Sequence, residues 1–375
     1  MSFSKDILKK QLNLNTSTKS KQNFVLEITI TNDCNCNCSY CFEKQQQNYD
    51  KHKYENDVLT LLTKLCNDKN FIEKHNLSIA FWGGEPTINI QFIEKILQCT
   101  HQYDFVSYFI YSNGTLIEKY KQLISLVDKF NVKNRFKVQL SYDGLPIHID
   151  KRGNNVNEIF DVAALLKEND FDFSFKATLT LDYISKLPEI WKSYFSLYIA
   201  FGDVVRYSPT IDTICNEEDL AKHFEEWKKS LIEIAKLERR FIEENNFPLM
   251  SWFNSHHGKC EKNNSIHIHT DGNIYICHGC SYSNDSQCFK LSNLDHLLKN
   301  INDIENIPLK PIQKISKKCI NCGATYCAVC HLTLVDRNNI KDDWNSCLSN
   351  KIELCKYYKY FGLINNILNH VIKSK

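Results

Sequence analysis

Three closely spaced cysteines are the part of this sequence best suited to chemistry. Cys34, Cys38 and Cys41 lie in the segment TNDCNCNCSYCFE and have the spacing CxxxCxxC. Cysteine thiolates are the usual ligands of a [4Fe–4S] cluster, in which three thiolates leave one iron open for an external ligand. Zinc sites generally take four protein ligands, often grouped as two pairs, so this triplet favours an iron–sulfur cluster over zinc.

The segments that must position this triplet are predicted to alternate between strand and helix. Between them, apolar residues recur at helical spacing, as in Val58, Leu61, Leu62 and Leu65. Six such units favour an α/β fold with a parallel sheet curled into a partial (β/α)6 TIM-like barrel. The strand C-termini of such a barrel meet at one mouth, where active sites lie. The predicted strands are residues 24–30, 77–82, 106–111, 136–142, 173–180 and 198–207.

The triplet, with Tyr40 directly before its last cysteine, resembles the signature of the radical S-adenosylmethionine (SAM) superfamily. The resemblance implies that Cys34, Cys38 and Cys41 are the catalytic cluster ligands. It further implies that the open iron chelates the amino and carboxylate groups of SAM. An electron from the reduced cluster then cleaves SAM to a 5′-deoxyadenosyl radical, so the cofactor reacts and the protein positions it.

Polar and glycine residues after the next three strands resemble further elements of this superfamily. Gly83-Gly84-Glu85-Pro86 resembles its GGEP element, whose backbone and carboxylate approach the SAM amino group. Ser141 and Arg152 could bind the ribose and carboxylate of SAM; alternatively, Asp150 and Arg152 are only a surface pair. The implied cofactor-binding residues are Tyr40, Gly83, Gly84, Glu85, Pro86, Ser112, Asn113, Ser141, Asp143 and Arg152.

A second group of cysteines resembles the SPASM domain, which holds two auxiliary [4Fe–4S] clusters. Matching by order assigns Cys260, Cys277 and Cys330 to the first cluster, and Cys319, Cys322, Cys327 and Cys347 to the second. The first cluster then lacks a fourth ligand. Either Cys280, Cys288 or a histidine completes it, or one iron is open and could bind a substrate thiolate. The alternative is zinc, because Cys319, Cys322, Cys327 and Cys330 also make a pair of pairs.

The predicted domain organisation follows from a change in residue pattern, from alternating strand and helix segments to short apolar runs, turns and cysteine pairs. We predict an N-terminal extension over 1–23, a radical SAM partial barrel over 24–245, a small Cys-rich SPASM-like domain over 246–360, and a C-terminal helix over 361–375. The boundary follows a long charged helix predicted over 217–246.

Composition and charge limit the kinds of partner and the cell compartment that the sequence predicts. A formal charge of +2 and no basic arm give no indication of nucleic-acid binding. The sequence has no signal-peptide core and no apolar run that would cross a membrane, which predicts a cytoplasmic protein without a membrane partner. In that setting the 17 clustered cysteines indicate metal ligation more than disulfides.

The resemblance implies a peptide maturase, which installs a thioether or carbon–carbon crosslink in a ribosomally made peptide. The implied partners are a peptide or protein substrate and an electron donor of flavodoxin or ferredoxin type. A separate leader-peptide-binding protein is a further partner, or the barrel itself reads the leader.

Two alternatives compete with this interpretation. The first is an anaerobic sulfatase-maturating enzyme that forms formylglycine; in that family an Asp follows the hairpin cysteine, whereas His278 follows Cys277 here. The second is a non-catalytic iron–sulfur or zinc protein that has kept the fold.

Overall fold

The computed structural model describes most of the predicted barrel and part of the region after it. The described residues are 21–41, 50–153, 155–202, 207–211, 217–250, 265–275, 278 and 290–305, together with 364 and 368. The strands are β1 (Gln22–Thr31), β2 (His75–Gly83), β3 (Val106–Ser112), β4 (Phe136–Ser141), β5 (Asp172–Leu179), β6 (Tyr207–Ile211), β7 (Ser265–Ile268), β8 (Asn273–Tyr275) and β9 (Lys290–Asn293). The α-helices are α1 (Lys51–Asn67), α2 (Lys69–Lys74), α3 (Ile90–Thr100), α4 (Ile117–Lys129), α5 (Ile147–Arg152), α6 (Val156–Glu168), α7 (Leu187–Phe201), α8 (Glu217–Asn245) and α9 (Leu294–Lys299).

The first six strands lie side by side in chain order and pair in parallel. Helices connect consecutive strands, so the C-terminal ends of all six open on the same side. This arrangement confirms the predicted α/β fold with a partial (β/α)6 barrel. It places the segment after β1, which carries the cysteine triplet, beside the segments after β2, β3 and β4.

The two faces of the sheet differ in polarity because side chains alternate along each strand. In β1, Leu26 and Ile28 are fully buried in the core that the helices cover. Glu27 and Thr29 point to the opposite, inner face of the barrel. In β4, Val138 packs into the same apolar core.

The sixth strand is not where the sequence predicts it. Residues 198–201 belong to α7, and the strand is Tyr207–Ile211. Aromatic side chains at Trp191, Tyr194 and Tyr198 recur at spacings of three and four, and they pack against the core along one helix face. The apolar run in the predicted strand is therefore the end of this helical stripe.

The sheet continues beyond the six predicted barrel strands. The strand β7 pairs in parallel with β1, opposite Glu27 and Ile28, and then β8 and β9 add in antiparallel fashion. These strands lie within the region predicted as the SPASM-like domain, so its first part is hydrogen-bonded to the barrel. The predicted domain boundaries stay predictions.

The predicted auxiliary ligands and the two candidate replacements lie outside the described residues; they are Cys260, Cys277, Cys280, Cys288, Cys319, Cys322, Cys327, Cys330 and Cys347. In the predicted C-terminal helix, Ile364 and Leu368 are helical and buried. No helix in the described part of the chain is long and apolar enough to cross a membrane.

Candidate cluster-binding site

The loop that carries the cysteine triplet begins directly after β1 and is held first by the end of β2. The backbone N–H of Gly84 donates to the carbonyl of Thr31 at 2.9 Å, and that of Glu85 donates to the carbonyl of Asp33 at 2.8 Å. A Cβ on Gly84 would lie only 2.4 Å from the Asp33 oxygen. The loop and the strand end therefore approach as closely as only a glycine allows.

The end of β3 holds the first cysteine of the triplet. The side-chain amide of Asn113 lies 3.8 Å from the Cys34 sulfur and donates to Asn35 Oδ1 at 2.9 Å. Asn35 in turn donates to the hydroxyl of Thr115 at 2.8 Å. Asn113 is thus placed beside the triplet, as the sequence predicts, and its amide contacts a predicted ligand sulfur.

The end of β4 holds the second half of the loop. The backbone N–H of Ser39 donates to the carbonyl of Lys151 at 2.8 Å. The Tyr40 hydroxyl donates to Asp143 Oδ2 at 2.5 Å. Burial raises the pKa of Tyr40, so this tyrosine stays protonated and remains a donor.

Arg152 lies within this second set of contacts. Its Nε donates to Asp143 Oδ2 at 2.8 Å, and its Nη1 lies 3.8 Å from the Cys38 sulfur. Asp150 instead accepts from the hydroxyl of Tyr183. The alternative of a surface pair between Asp150 and Arg152 is therefore wrong: Arg152 turns inward because a fully buried carboxylate lies there.

The four cysteine thiols of the loop are free of disulfides and differ in exposure. Cys34 is exposed, Cys36 and Cys41 are half-buried, and Cys38 is buried. Burial raises the pKa of the Cys38 thiol, and the positive charge of Arg152 opposes that effect. The loop therefore offers three thiols of CxxxCxxC spacing beside amide and guanidinium donors, a donor set that fits an iron–sulfur cluster.

No three His, Cys, Asp or Glu side chains among the described residues are grouped closely enough to hold a single metal ion. A four-iron cluster is larger than one ion and keeps its thiolate ligands farther apart. The absence of a single-ion site among the described residues therefore does not argue against a cluster on Cys34, Cys38 and Cys41.

Glu85, like Asp143, is a predicted SAM contact whose side chain is fully buried. Its carboxylate accepts from the backbone N–H and hydroxyl of Thr87, from the hydroxyl of Ser112 and from the backbone N–H of Asn113. Burial raises the pKa of Glu85, and these donors oppose the rise. The carboxylate thus joins the ends of β2 and β3, which hold the cysteine loop.

The remaining predicted contacts also lie at these strand ends. Gly83 closes β2 with a φ of 131°, and a Cβ there would lie 2.2 Å from the Thr31 oxygen. Pro86 is buried in the first turn of a short 3₁₀ helix, Pro86–Asn89. Ser141 is the half-buried last residue of β4, opposite Lys176 of β5.

The inner face of the barrel carries a polar and aromatic cluster that the sequence patterns did not predict. The Glu27 carboxylate accepts from the backbone N–H of His278 at 3.3 Å and contacts its ring Nδ1 at 3.1 Å. The His278 ring stacks on Trp82 with centroids 3.6 Å apart, and Trp82 contacts Tyr111 edge to face. His267 Nδ1 lies 3.8 Å from the same carboxylate. One signal was available, since a glutamate within the apolar strand FVLEITI must face away from the core.

Residues 28–186 match the Radical SAM superfamily. The protein anSMEcpe, solved with bound AdoMet, is 19% identical, with a TM-score of 0.65 over 94% of this chain and 99% of that chain. SuiB of Streptococcus suis, solved bound to S-adenosylmethionine, is 15% identical, with a TM-score of 0.56 over 88% of this chain and 77% of that chain. No curated protein matches the sequence.

Proposed function

We propose, on the premise that residues 28–186 form a radical SAM domain, that this protein reductively cleaves SAM and uses the resulting radical to modify a peptide or protein. The observation that carries the proposal is the loop with Cys34, Cys38 and Cys41, held by hydrogen bonds from three adjacent strand ends. When bound, a [4Fe–4S] cluster supplies the electron and the open iron at which SAM is cleaved to a 5′-deoxyadenosyl radical.

The residues of the chain serve to bind, orient and enclose in this proposal. Cys34, Cys38 and Cys41 ligate the cluster. The glycines at the end of β2 let the backbone of the cysteine loop approach that strand end more closely than any side chain would allow. The inner face below, with Trp82 and Tyr111, offers partly exposed aromatic surface on which a substrate side chain can pack.

A peptide or protein substrate is supported by the shared fold. The anSMEcpe enzyme was solved with a Cp18Cys peptide, and SuiB was solved bound to its precursor peptide SuiA. For this chain we propose a maturase that forms a thioether or carbon–carbon crosslink. We further propose two auxiliary [4Fe–4S] clusters held by the C-terminal cysteines and electron supply by a flavodoxin- or ferredoxin-type donor. Formylglycine formation is the competing reaction, and its product would be identified by mass spectrometry of the modified peptide.

Production of 5′-deoxyadenosine from SAM tests the proposal directly. The protein is reconstituted anaerobically with iron and sulfide, mixed with SAM and dithionite, and assayed by liquid chromatography. We expect the wild type and a Cys66→Ala/Cys99→Ala control to form 5′-deoxyadenosine, since these two cysteines lie in helices α1 and α3 away from the loop. The Cys34→Ala/Cys38→Ala/Cys41→Ala variant should form none. Equal product from the triple variant, or none from the wild type, would overturn the proposal.

A further inference from the structure

Arg152 joins the buried carboxylate after β4 to the sulfur of a predicted cluster ligand. A guanidinium group has five N–H donors in a fixed planar arrangement and accepts no hydrogen bond. One of them, on Nε, is directed at Asp143, and another, on Nη1, lies 3.8 Å from the Cys38 sulfur. The orientation of the group is therefore set at both ends.

The surroundings of Arg152 hold this orientation in place. Asp143 is fully buried, and its Oδ1 accepts from the backbone N–H of Thr178 on β5 at 2.8 Å. The Tyr40 hydroxyl donates to the same carboxylate, and the guanidinium carbon lies 5.3 Å from the centre of the Tyr40 ring. The Arg152 side chain is only 12% exposed. A charge in such a place is weakly screened by solvent, so its effect on a neighbouring sulfur is large for its distance.

We propose that Arg152 is a positioning residue for the Cys38 ligand: it donates a charge-assisted hydrogen bond to the Cys38 sulfur and raises the reduction potential of the cluster bound there. This rests on the proposed function, since it requires that cluster. It assigns Arg152 to the cluster side of the site, whereas the resemblance assigned it to the carboxylate of SAM. Hydrogen bonds to ligand sulfurs and nearby charge are among the factors that set the potential of an iron–sulfur cluster, and a positive charge favours the reduced form.

The neighbouring residue supplies a matched control. Lys151 carries the same charge one residue earlier, but its Nζ pairs with Asp182 at 2.8 Å, on the surface. Lys151→Gln and Arg152→Gln therefore remove one positive charge each from the same helix, and only the second removes a donor to Cys38. Arg152→Lys keeps the charge and loses the planar group that reaches Asp143 and Cys38 together.

The test is a redox titration without SAM, followed by electron paramagnetic resonance, on the three reconstituted variants and the wild type. The signal of this cluster is the one that disappears in the Cys34→Ala/Cys38→Ala/Cys41→Ala variant. SAM affinity is measured in parallel by isothermal titration calorimetry. We expect Arg152→Gln to shift the midpoint potential to a more negative value, Arg152→Lys to shift it less, and Lys151→Gln to leave it at the wild-type value.

The outcomes separate this inference from the proposed function. If the midpoint potentials of Arg152→Gln and the wild type coincide while SAM affinity falls, Arg152 acts on SAM and the inference is wrong. If Arg152→Gln does not retain the cluster, the midpoint potential of Arg152→Lys is compared with that of the wild type instead. Equal potentials for these two proteins would overturn the inference. A wild-type protein that binds no cluster on the triplet would instead overturn the proposed function.

Discussion

At the scale of single residues, the cysteine loop is held by side chains that are distant in sequence. Asn113 contacts the loop from the end of β3, and Asp143 and Arg152 contact it from the segment after β4. The sequence predicted that these residues lie at the site, because each follows a strand of a parallel sheet. Their hydrogen-bond partners could not be predicted, since those depend on register and on which way a buried side chain turns.

Glu85 gives a residue-scale prediction about stability. Replacing Glu85 with Gln leaves an NH₂ group facing donors that now bond to a carboxylate oxygen. An unsatisfied buried donor costs about 1–3 kcal/mol, so the free energy of unfolding should fall by about that amount. Denaturant titration of both reconstituted proteins measures the difference.

The matched control for this change is Glu118→Gln. Glu118 is 74% exposed and pairs with Lys121 at the surface. Such a pair contributes about 0–1 kcal/mol, so this variant should unfold close to the wild type. Equal midpoints for Glu85→Gln and Glu118→Gln would show that the Glu85 network does not stabilise the strand ends.

At the scale of elements, five of the six predicted barrel strands are confirmed and one is displaced. Strands β1 to β5 have alternating apolar residues and turn signals at their ends, so their positions follow from the pattern. The last prediction was wrong because Tyr198 and Phe201, the aromatic residues at the beginning of the predicted strand, continue the helical spacing of Trp191 and Tyr194 in α7. The addition of β7 beside β1 joins residues more than 230 apart, and no local pattern predicts such a pairing.

Glu238 gives an element-scale prediction about pH. On α8 it accepts from Trp191 Nε1 and from the backbone N–H groups of Leu249 and Met250, so it ties two helices to the turn that follows. Burial raises the pKa of Glu238 from 4.5 to about 7. Between those values the folded state binds more protons than the unfolded state, so the free energy of unfolding falls as pH rises from 4.5 to 7. The full effect is about 3 kcal/mol.

Glu238→Gln should remove this contribution. We expect the difference in unfolding free energy between the wild type and the variant to change by up to about 3 kcal/mol from pH 5 to pH 8, with the wild type losing stability. Urea titrations at several pH values measure it. Glu243→Gln on the same helix, where the carboxylate is 44% exposed, should show no comparable slope. Parallel curves for the wild type and Glu238→Gln would contradict the prediction.

At the scale of the whole molecule, the barrel and its mouth could be read from the sequence with few errors, because hydrophobic alternation and strand-end motifs are local signals. The arrangement of the C-terminal cysteines could not be predicted in this way. Their spacing alone fits two iron–sulfur clusters or a zinc site, and the choice depends on which thiols are brought together in space. The described part of this region, β7 to β9, is joined to the barrel sheet.

The central claim is that Cys34, Cys38 and Cys41 hold one [4Fe–4S] cluster. The most direct test measures iron and acid-labile sulfide per chain after anaerobic reconstitution, in the wild type and in the Cys34→Ala/Cys38→Ala/Cys41→Ala variant. With one catalytic and two proposed auxiliary clusters we predict about twelve irons in the wild type and about eight in the variant, at four per cluster. Equal iron content in the two proteins would contradict the claim.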